Sequence, residues 1–131
     1  MAPRILVLDD EPDMQELFRQ QFRREIRKGV YEFRFAERAR EVLSVLADAD
    51  ERSPNVLLSD VNIPEMDGIE LLERVKGMRP DLPVIMVTAY GDKITSDRVR
   101  GLGAETLVSK PVDFDMLKTR LSDLVAGDGR A

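Results

Sequence analysis

The chain has 131 residues, 20 of them basic and 25 acidic, a formal net charge of −5, and neither histidine nor cysteine. This length suits one domain with a core that needs no covalent or metal staples. Without histidine and cysteine there is no disulfide, no thiolate or imidazole metal site and no nucleophile–histidine pair, so any metal must be a hard cation bound by oxygen, such as Mg²⁺ or Ca²⁺.

Apolar patterning predicts five short strands that alternate with helices. The strand-like runs are 5–8, 31–35, 56–58, 84–87 and 106–108. A first helix is predicted between Pro12 and Gly29, and two others cover 42–46 and 69–75. The segment from Tyr90 to Gly103 is rich in residues that disfavour helices and predicts only a short fourth helix, whereas 114–124 predicts a regular last one.

The alternation of strands and helices predicts an α/β fold with a parallel sheet. The first, third and fourth runs are wholly apolar, which is typical of strands covered on both faces. The second run alternates aromatic and charged residues and the fifth is short and mixed, so both suit sheet edges. A doubly wound sheet of order 2-1-3-4-5 places the wholly apolar strands in the interior of the sheet and the two mixed strands at its edges. We expect the domain at residues 1–126 and a linker-like tail at 127–131.

Polar residues follow four of the five strands. Asp9 and Asp10 follow the first strand, Asp60 the third, Thr88 the fourth and Lys110 the fifth. Each alone is an ordinary cap, turn or solvated residue, but parallel strands bring their carboxyl ends to one edge, where ligands bind. Crowded carboxylates repel one another, and Mg²⁺ relieves that repulsion. Carboxylate, hydroxyl, ammonium and Mg²⁺ together suit phosphoryl transfer onto a carboxylate.

Four stretches of the chain carry these residues in order. They read ILVLDDEP from residue 5, LSDVNIPEMDG from residue 58, VTAY from residue 87 and SKP from residue 109. Together they resemble response regulator receiver domains of the chemotaxis-regulator type, the phosphoacceptor modules of two-component signalling. The resemblance extends from Ile5 to about Val125 and implies a flavodoxin-like (βα)5 fold.

The resemblance also implies a role for each residue at that edge. Asp60 would be the phosphoacceptor, and Thr88 and Lys110 would bind the phosphoryl group. The Lys110–Pro111 peptide bond would be cis, which X–Pro chemistry permits. The Mg²⁺ ligands would be Asp10 directly, Asp9 through water or at its edge, Asp60, and the backbone carbonyl of Asn62.

Two features depart from the family pattern. Receiver domains usually carry Tyr or Phe three residues before the strand-five lysine as a rotameric switch, whereas this chain has Leu107. The interval from Asp10 to Asp60 is also longer than in compact members, and the extra residues are expected in the first helix or in the segment 48–54. Tyr90, two residues past Thr88, is expected at the mouth of the site, where its bulk would hinder hydrolysis of an aspartyl phosphate.

The sequence therefore predicts a cytoplasmic switch rather than an enzyme with an external substrate. A histidine kinase, a phosphotransfer protein or a small phosphodonor would phosphorylate Asp60, and the surface of the fourth helix, fifth strand and fifth helix would change. No apolar run approaches the roughly 20 residues of a membrane span, and the early Asp9 and Asp10 are untypical of a signal peptide. An output domain, a partner protein or a second copy of the chain in a phosphorylation-dependent homodimer would respond to the phosphorylation of Asp60. Nucleic acid is not an expected ligand.

Two rival interpretations remain open. A Mg²⁺-dependent phosphatase with an aspartate nucleophile would use similar groups, but such enzymes carry Asp-x-Asp where this chain has Asp9, Asp10 and Glu11. A degenerate receiver could serve only for docking or dimerisation, although the intact acidic and basic residues argue against that. The basic first helix, from Arg19 to Lys28, is either a solvated face or a docking surface for an acidic partner.

Overall fold

The computed structural model of the protein describes residues 2–48, 54–63, 66–89 and 93–129. Five parallel strands form one sheet in the order β2-β1-β3-β4-β5. The strands are β1 Arg4–Leu8, β2 Glu32–Ala36, β3 Val56–Asp60, β4 Val84–Thr88 and β5 Thr106–Ser109. The helices are α1 Pro12–Gln21, α2 Arg23–Arg27, α3 Ala39–Ala47, α4 Gly68–Met78, α5 Lys93–Gly101 and α6 Phe114–Gly129.

The predicted strand order and edge strands are confirmed. All residues of β3 and β4, and all but the first of β1, are buried, as expected for strands covered on both faces. In β2, the side chains of Glu32 and Arg34 are exposed while their neighbours are less so. This alternation is typical of a strand at the edge of a sheet. Strand β5 forms the opposite edge and is likewise mixed in burial.

Two apolar layers, one on each face of the sheet, form the core. Because successive side chains of a strand point to opposite faces, Leu6 and Leu8 pack with α3, α4 and α5, whereas Ile5 and Val7 pack with α1 and α6. An aromatic group fills the second layer beside the β2 edge. Its rings belong to Phe18, Phe22, Tyr31, Phe33, Phe35 and Phe114. In the described part of the chain, no helix is long and apolar enough to cross a bilayer.

The first helix differs from the prediction because it is two helices rather than one. Phe22 lies between them with φ −104° and ψ 17°. Helical hydrogen bonding crosses the break, since Phe22 N–H donates to Phe18 O and Ile26 N–H donates to Phe22 O, both at 2.9 Å. Phe22 is fully buried, and its ring lies 4.8 Å from that of Phe33. Apolar spacing could not reveal the bend, because spacing identifies the buried face and not the straightness of the axis.

The predicted end of this segment at Gly29 is confirmed. Gly29 has φ 72°, a conformation that suits a residue without a side chain. Its N–H donates to Ile26 O, and Val30 N–H donates to Glu25 O, which satisfies carbonyls left open at the end of α2.

The last helix continues to Gly129, so its backbone includes residues 127–129 of the segment that we expect as a linker-like tail, and the domain boundary at residue 126 stays a prediction. The segment 48–54 is one of the two places expected to hold extra residues, and its residues 49–53 lie outside the described residues.

The start of α4 passes unusually close to the end of β3. A Cβ atom added to Gly68 would lie 2.6 Å from Val61 Cα and 2.8 Å from Asp60 O. Only glycine therefore allows this approach. Gly68 N–H also donates to Val61 O at 3.0 Å, which joins the helix to the loop that follows Asp60.

We expect Gly68→Ala to lower the free energy of unfolding by about 1–3 kcal/mol, because the methyl group forces backbone apart. Urea denaturation measures the change. Gly77→Ala is the matched control in the same helix, since an added Cβ there meets nothing within 4 Å. That variant should be neutral or more stable by up to about 1 kcal/mol. Equal effects of the two substitutions would contradict the close approach at Gly68.

Candidate phosphoacceptor site

Asp60 is the last residue of β3 and is 5% exposed. Its Oδ1 accepts the backbone N–H of Asn62 at 3.0 Å, and its Oδ2 accepts from Lys110 Nζ at 2.9 Å. Asn62 in turn forms an antiparallel bridge with Asp67, whose side chain accepts the N–H of Ile69 at 2.9 Å and so caps α4. The carboxylate is thereby oriented by the loop that follows it.

Asp9 follows β1 on the neighbouring strand and is 3% exposed. Its backbone N–H donates to Ala36 O at 3.0 Å. Its Oδ1 accepts the N–H of Glu11 at 2.9 Å, and this turn brings the Glu11 side chain back toward the site. Two buried carboxylates therefore end adjacent strands, with a third carboxylate at the rim.

Lys110 follows β5 and supplies the positive charge of the site. Its ammonium lies 2.9 Å from Asp60 Oδ2, 3.3 Å from Glu11 Oε1 and 3.4 Å from Asp9 Oδ2. Its backbone N–H donates to Thr88 O at 2.7 Å, which links the ends of β5 and β4. The Lys110–Pro111 bond is cis, as predicted.

The electrostatics of the site follow from burial and from these contacts. Burial raises the pKa of Asp9, and the charge of Asp60 adds to the rise, whereas the Glu11 N–H and Lys110 oppose it. Burial lowers the pKa of Lys110, but its bonds to Asp60 and Glu11 and the charges of Asp60 and Asp9 outweigh burial, so this pKa is raised above its ordinary value. Lys110 is consequently a charged ammonium at neutral pH.

The donor set fits a hard divalent cation. Carboxylate oxygens of Asp9, Glu11 and Asp60 all lie within 4.8 Å of one another. Three such oxygens in one place match the ligand preference of Mg²⁺. The Lys110 ammonium, which contacts all three carboxylates, shows that the group attracts a cation. The chemistry of the residues present is thus compatible with the cation that the sequence implied.

The structure brings together some of the predicted residues and not others. Asp9, Asp60 and Lys110 are in contact, and Thr88 lies buried at the end of β4, one strand away from Asp60. Asn62 contacts Asp60 through its backbone N–H. Asp10 is exposed and its carboxylate is not part of the three-carboxylate group.

Glu11 is a residue of the site that the sequence did not indicate, although it directly follows the aspartate pair. Its side chain is 65% exposed, and a surface glutamate beside a helix start has no distinguishing pattern. Leu107 is half-buried and packs against the apolar layer beneath α3, α4 and α5. Tyr90, expected at the mouth of the site, lies outside the described residues.

The sequence matches the family model described as the response regulator receiver domain over residues 5–122. The chain belongs to this family. Among curated relatives, the receiver domain is 34% identical over 118 residues to sporulation initiation phosphotransferase F of Bacillus subtilis, and the match covers 90% of each chain. It is 35% identical over 114 residues to the regulatory protein AtoC of Escherichia coli, which covers 87% of this chain but only 23% of that one. For most of the relatives compared, the receiver domain therefore spans a minor part of their length.

Solved structures agree with this assignment. The signal receiver domain of an HD domain-containing protein from Pseudomonas fluorescens Pf-5 superposes with a TM-score of 0.84 at 25% identity, covering 98% of each chain. The signal receiver domain of a putative LuxO repressor protein from Vibrio parahaemolyticus gives a TM-score of 0.86 at 23% identity, covering 98% of this chain and 93% of that one, a likeness of fold. Receiver domains are signalling switches, and the family binds Mg²⁺ in an acidic pocket like the one that Asp9, Glu11 and Asp60 form here.

We expect Lys110→Met to lower the free energy of unfolding at neutral pH, without divalent cations, by about 1–3 kcal/mol, because buried acceptors lose their charged partner. The loss should shrink as pH falls, since Asp9, with its raised pKa, takes up a proton and leaves less charge to neutralise. In the wild type, the Asp9 carboxyl makes the free energy of unfolding decrease as the pH rises from 3.8, the ordinary pKa of an aspartate, through the raised pKa of Asp9 in the folded protein.

Urea denaturation across this pH range, with a chelator present, measures the loss in Lys110→Met. Arg74→Met is the control, because Arg74 pairs with Glu70 at 3.0 Å on an exposed helix face. Its effect should stay below about 0.5 kcal/mol and should not follow the protonation of Asp9. A Lys110→Met loss that is independent of pH would contradict the electrostatic account.

Proposed function

We propose that this receiver domain accepts a phosphoryl group on Asp60 and acts as a phosphorylation-dependent signalling switch. The observation that carries the proposal is the position of the Asp60 carboxylate, buried at a strand end and in contact with Lys110 at 2.9 Å. The Asp60 carboxylate also lies beside Asp9 and Glu11, and the three side chains together form an acidic pocket. The donor would be a histidine kinase, a phosphotransfer protein or a small phosphodonor in the cytoplasm.

The transfer itself requires little covalent chemistry from the protein. A carboxylate oxygen of Asp60 attacks phosphorus while the phosphorus–nitrogen bond of a phosphohistidine breaks, and the bonding electron pair remains on the imidazole nitrogen. Asp60 is held for this attack by the Asn62 N–H, and the Lys110 ammonium attracts the phosphoryl oxygens. This chain has no histidine, so the phosphohistidine would belong to the partner.

Metal binding belongs to the same proposal. Asp9, Asp10 and Asp60, with the backbone carbonyl of Asn62, would hold Mg²⁺, and Glu11 is a further carboxylate within reach. Bound Mg²⁺ would neutralise charge on the phosphoryl oxygens during transfer. Lys110 would then exchange its contacts with Asp9 and Glu11 for contacts with the phosphoryl group.

The switch would follow from the residues around the new charge. The phosphoryl group would draw in the Thr88 hydroxyl and the Lys110 ammonium, which lie at the ends of β4 and β5. The hydrogen bond and the ion pair formed with the phosphoryl oxygens would favour one of two existing arrangements of α5, β5 and α6. Leu107 lies in β5 and supplies no ring or hydroxyl, so it would transmit the change by packing alone. The readers would be an output domain, a partner protein or a second copy of the chain.

We expect acetyl phosphate with Mg²⁺ to add one phosphoryl group to the wild type and none to Asp60→Asn, because the amide is a poor nucleophile. Intact-mass spectrometry after mild quenching detects the adduct. Asp81→Asn is the matched control, since this exposed aspartate precedes the amino-terminal end of β4, at the opposite edge of the sheet from the acidic pocket, and it should phosphorylate normally. Steady release of phosphate from simple phosphate esters would instead favour a phosphatase. Wild type that takes up no phosphoryl group from any competent donor would favour a receiver that only docks.

We expect Asp10→Asn to weaken Mg²⁺ binding by at least about tenfold, as loss of a metal ligand does, and Glu11→Gln to weaken it by less than about threefold. The reason is that Asp10 belongs to the proposed ligand set, whereas Glu11 is a further carboxylate at the rim whose side chain is 65% exposed. Isothermal titration calorimetry measures both affinities. Binding should also weaken as pH falls, because protonation of Asp9 competes with the cation. The reverse ranking of the two variants would make Glu11 the ligand.

A further inference from the structure

An open groove runs along the β2 edge of the molecule, between strand β2 and the broken first helix. Its volume is about 840 Å³, within the range of ligand-binding clefts. The residues that define this β2 flank groove for the argument are Arg19, Arg23, Ile26, Arg27, Phe33 and Phe35.

The charge of this flank is opposite to that of the whole chain. The segment from Arg19 to Arg40 contains eight basic and three acidic residues, although the chain has a net charge of −5. Two acidic side chains line the groove, and both are paired: Glu16 lies 3.7 Å from Arg19, and Glu32 lies 3.1 Å from Arg4. The flank therefore presents a positive surface to an approaching partner.

The floor of the groove is apolar. Phe33 and Phe35 are half-buried, and their rings stack with centroids 6.2 Å apart. The Arg19 guanidinium lies over the Phe35 ring, 4.6 Å from its centroid, which positions one rim charge beside the floor. Ile26, which lines the same groove, is 39% exposed. The groove thus combines a cationic rim with an uncovered apolar strip.

The groove is separate from the phosphoacceptor site. It extends from Glu16 in the middle of α1 to Gly29 and Ala2, which lie near the amino-terminal ends of β2 and β1. Asp9, Glu11, Asp60 and Lys110 surround the carboxyl ends of the strands, at the opposite edge. A protein bound in the groove would leave the phosphoacceptor edge accessible.

We propose that the β2 flank groove binds an acidic segment of a partner protein that also carries apolar side chains. The acidic groups pair with Arg23 and Arg27 at the rim, and an apolar side chain covers Ile26 and the edges of Phe33 and Phe35. A protein segment fits better than nucleic acid, because the phenyl rings on the floor are half-buried and face each other, which suits an aliphatic side chain better than a stacked base. The groove would tether the receiver domain to a partner whether or not Asp60 is phosphorylated.

A fluorescent peptide of alternating glutamate and leucine is the probe, and fluorescence anisotropy measures its affinity for the full chain. We expect the double variant Arg23→Glu with Arg27→Glu to weaken binding by about tenfold or more, since two attractive charge pairs become repulsive. The matched control is Arg98→Glu with Arg100→Glu, two exposed arginines on α5, which should change affinity by less than about twofold. Circular dichroism checks that both variants fold.

A second pair of variants tests the apolar floor without changing charge. Ile26→Ser should weaken peptide binding by several-fold, whereas Met116→Ser on α6, 50% exposed, should leave it unchanged. Nitrogen–proton correlation spectra should show the largest peptide-induced shifts in residues 19–35.

Several outcomes would overturn the proposal. They are no binding of the peptide by the wild type, equal losses from the two arginine pairs, and equal binding of a peptide in which glutamine replaces glutamate. Tight binding of a DNA duplex through Arg23 and Arg27 without binding of the acidic peptide would overturn it in favour of nucleic acid.

Discussion

The ion contact between Lys110 and the carboxylates of Asp9 and Asp60 is the interaction on which the site depends. Two nearly buried carboxylates at the ends of neighbouring strands repel each other. The ammonium of Lys110, brought from β5 across β4, offsets this repulsion at 2.9 and 3.4 Å. The apolar layers on both faces of the sheet hold the three strand ends in register, so the stability of the core sustains an arrangement that is unfavourable by itself.

The loop after Asp60 is joined closely to α4, whereas the described side chains of α5 are mostly not buried. On the acceptor side, Gly68 approaches the backbone at Val61, and the Asn62–Asp67 bridge closes the loop after Asp60. In α5, by contrast, Val99 is the single buried side chain among those that the structure describes. This arrangement fits the switch proposed above, because an element with few buried side chains in its described part can change position at a lower free-energy cost than a buried strand.

The bend at Phe22 gives the molecule its second surface. Because Phe22 turns into the aromatic layer, α2 continues along the β2 edge with no buried residue of its own. It is attached instead by Lys118 of α6, whose ammonium lies 3.2 Å from Glu25, and by the turn at Gly29. The basic residues of α2 are thereby directed beside the half-buried rings of β2. The phosphoacceptor edge and this flank lie at different ends of the sheet, so the partners proposed for them would not compete for the same surface.

Sequence alone was sufficient for the strand order, the two edge strands and the gathering of Asp9, Asp60 and Lys110, because these follow from which runs are apolar and from what parallel strands bring to one edge. It also indicated the end of α2 at Gly29 through the freedom of glycine. Only the tertiary structure revealed the break at Phe22, the place of Glu11 beside Lys110 and the position of Asp10 outside the carboxylate group. Those features depend on where side chains point after packing, and hydrophobic periodicity carries no record of side-chain direction or helix bending.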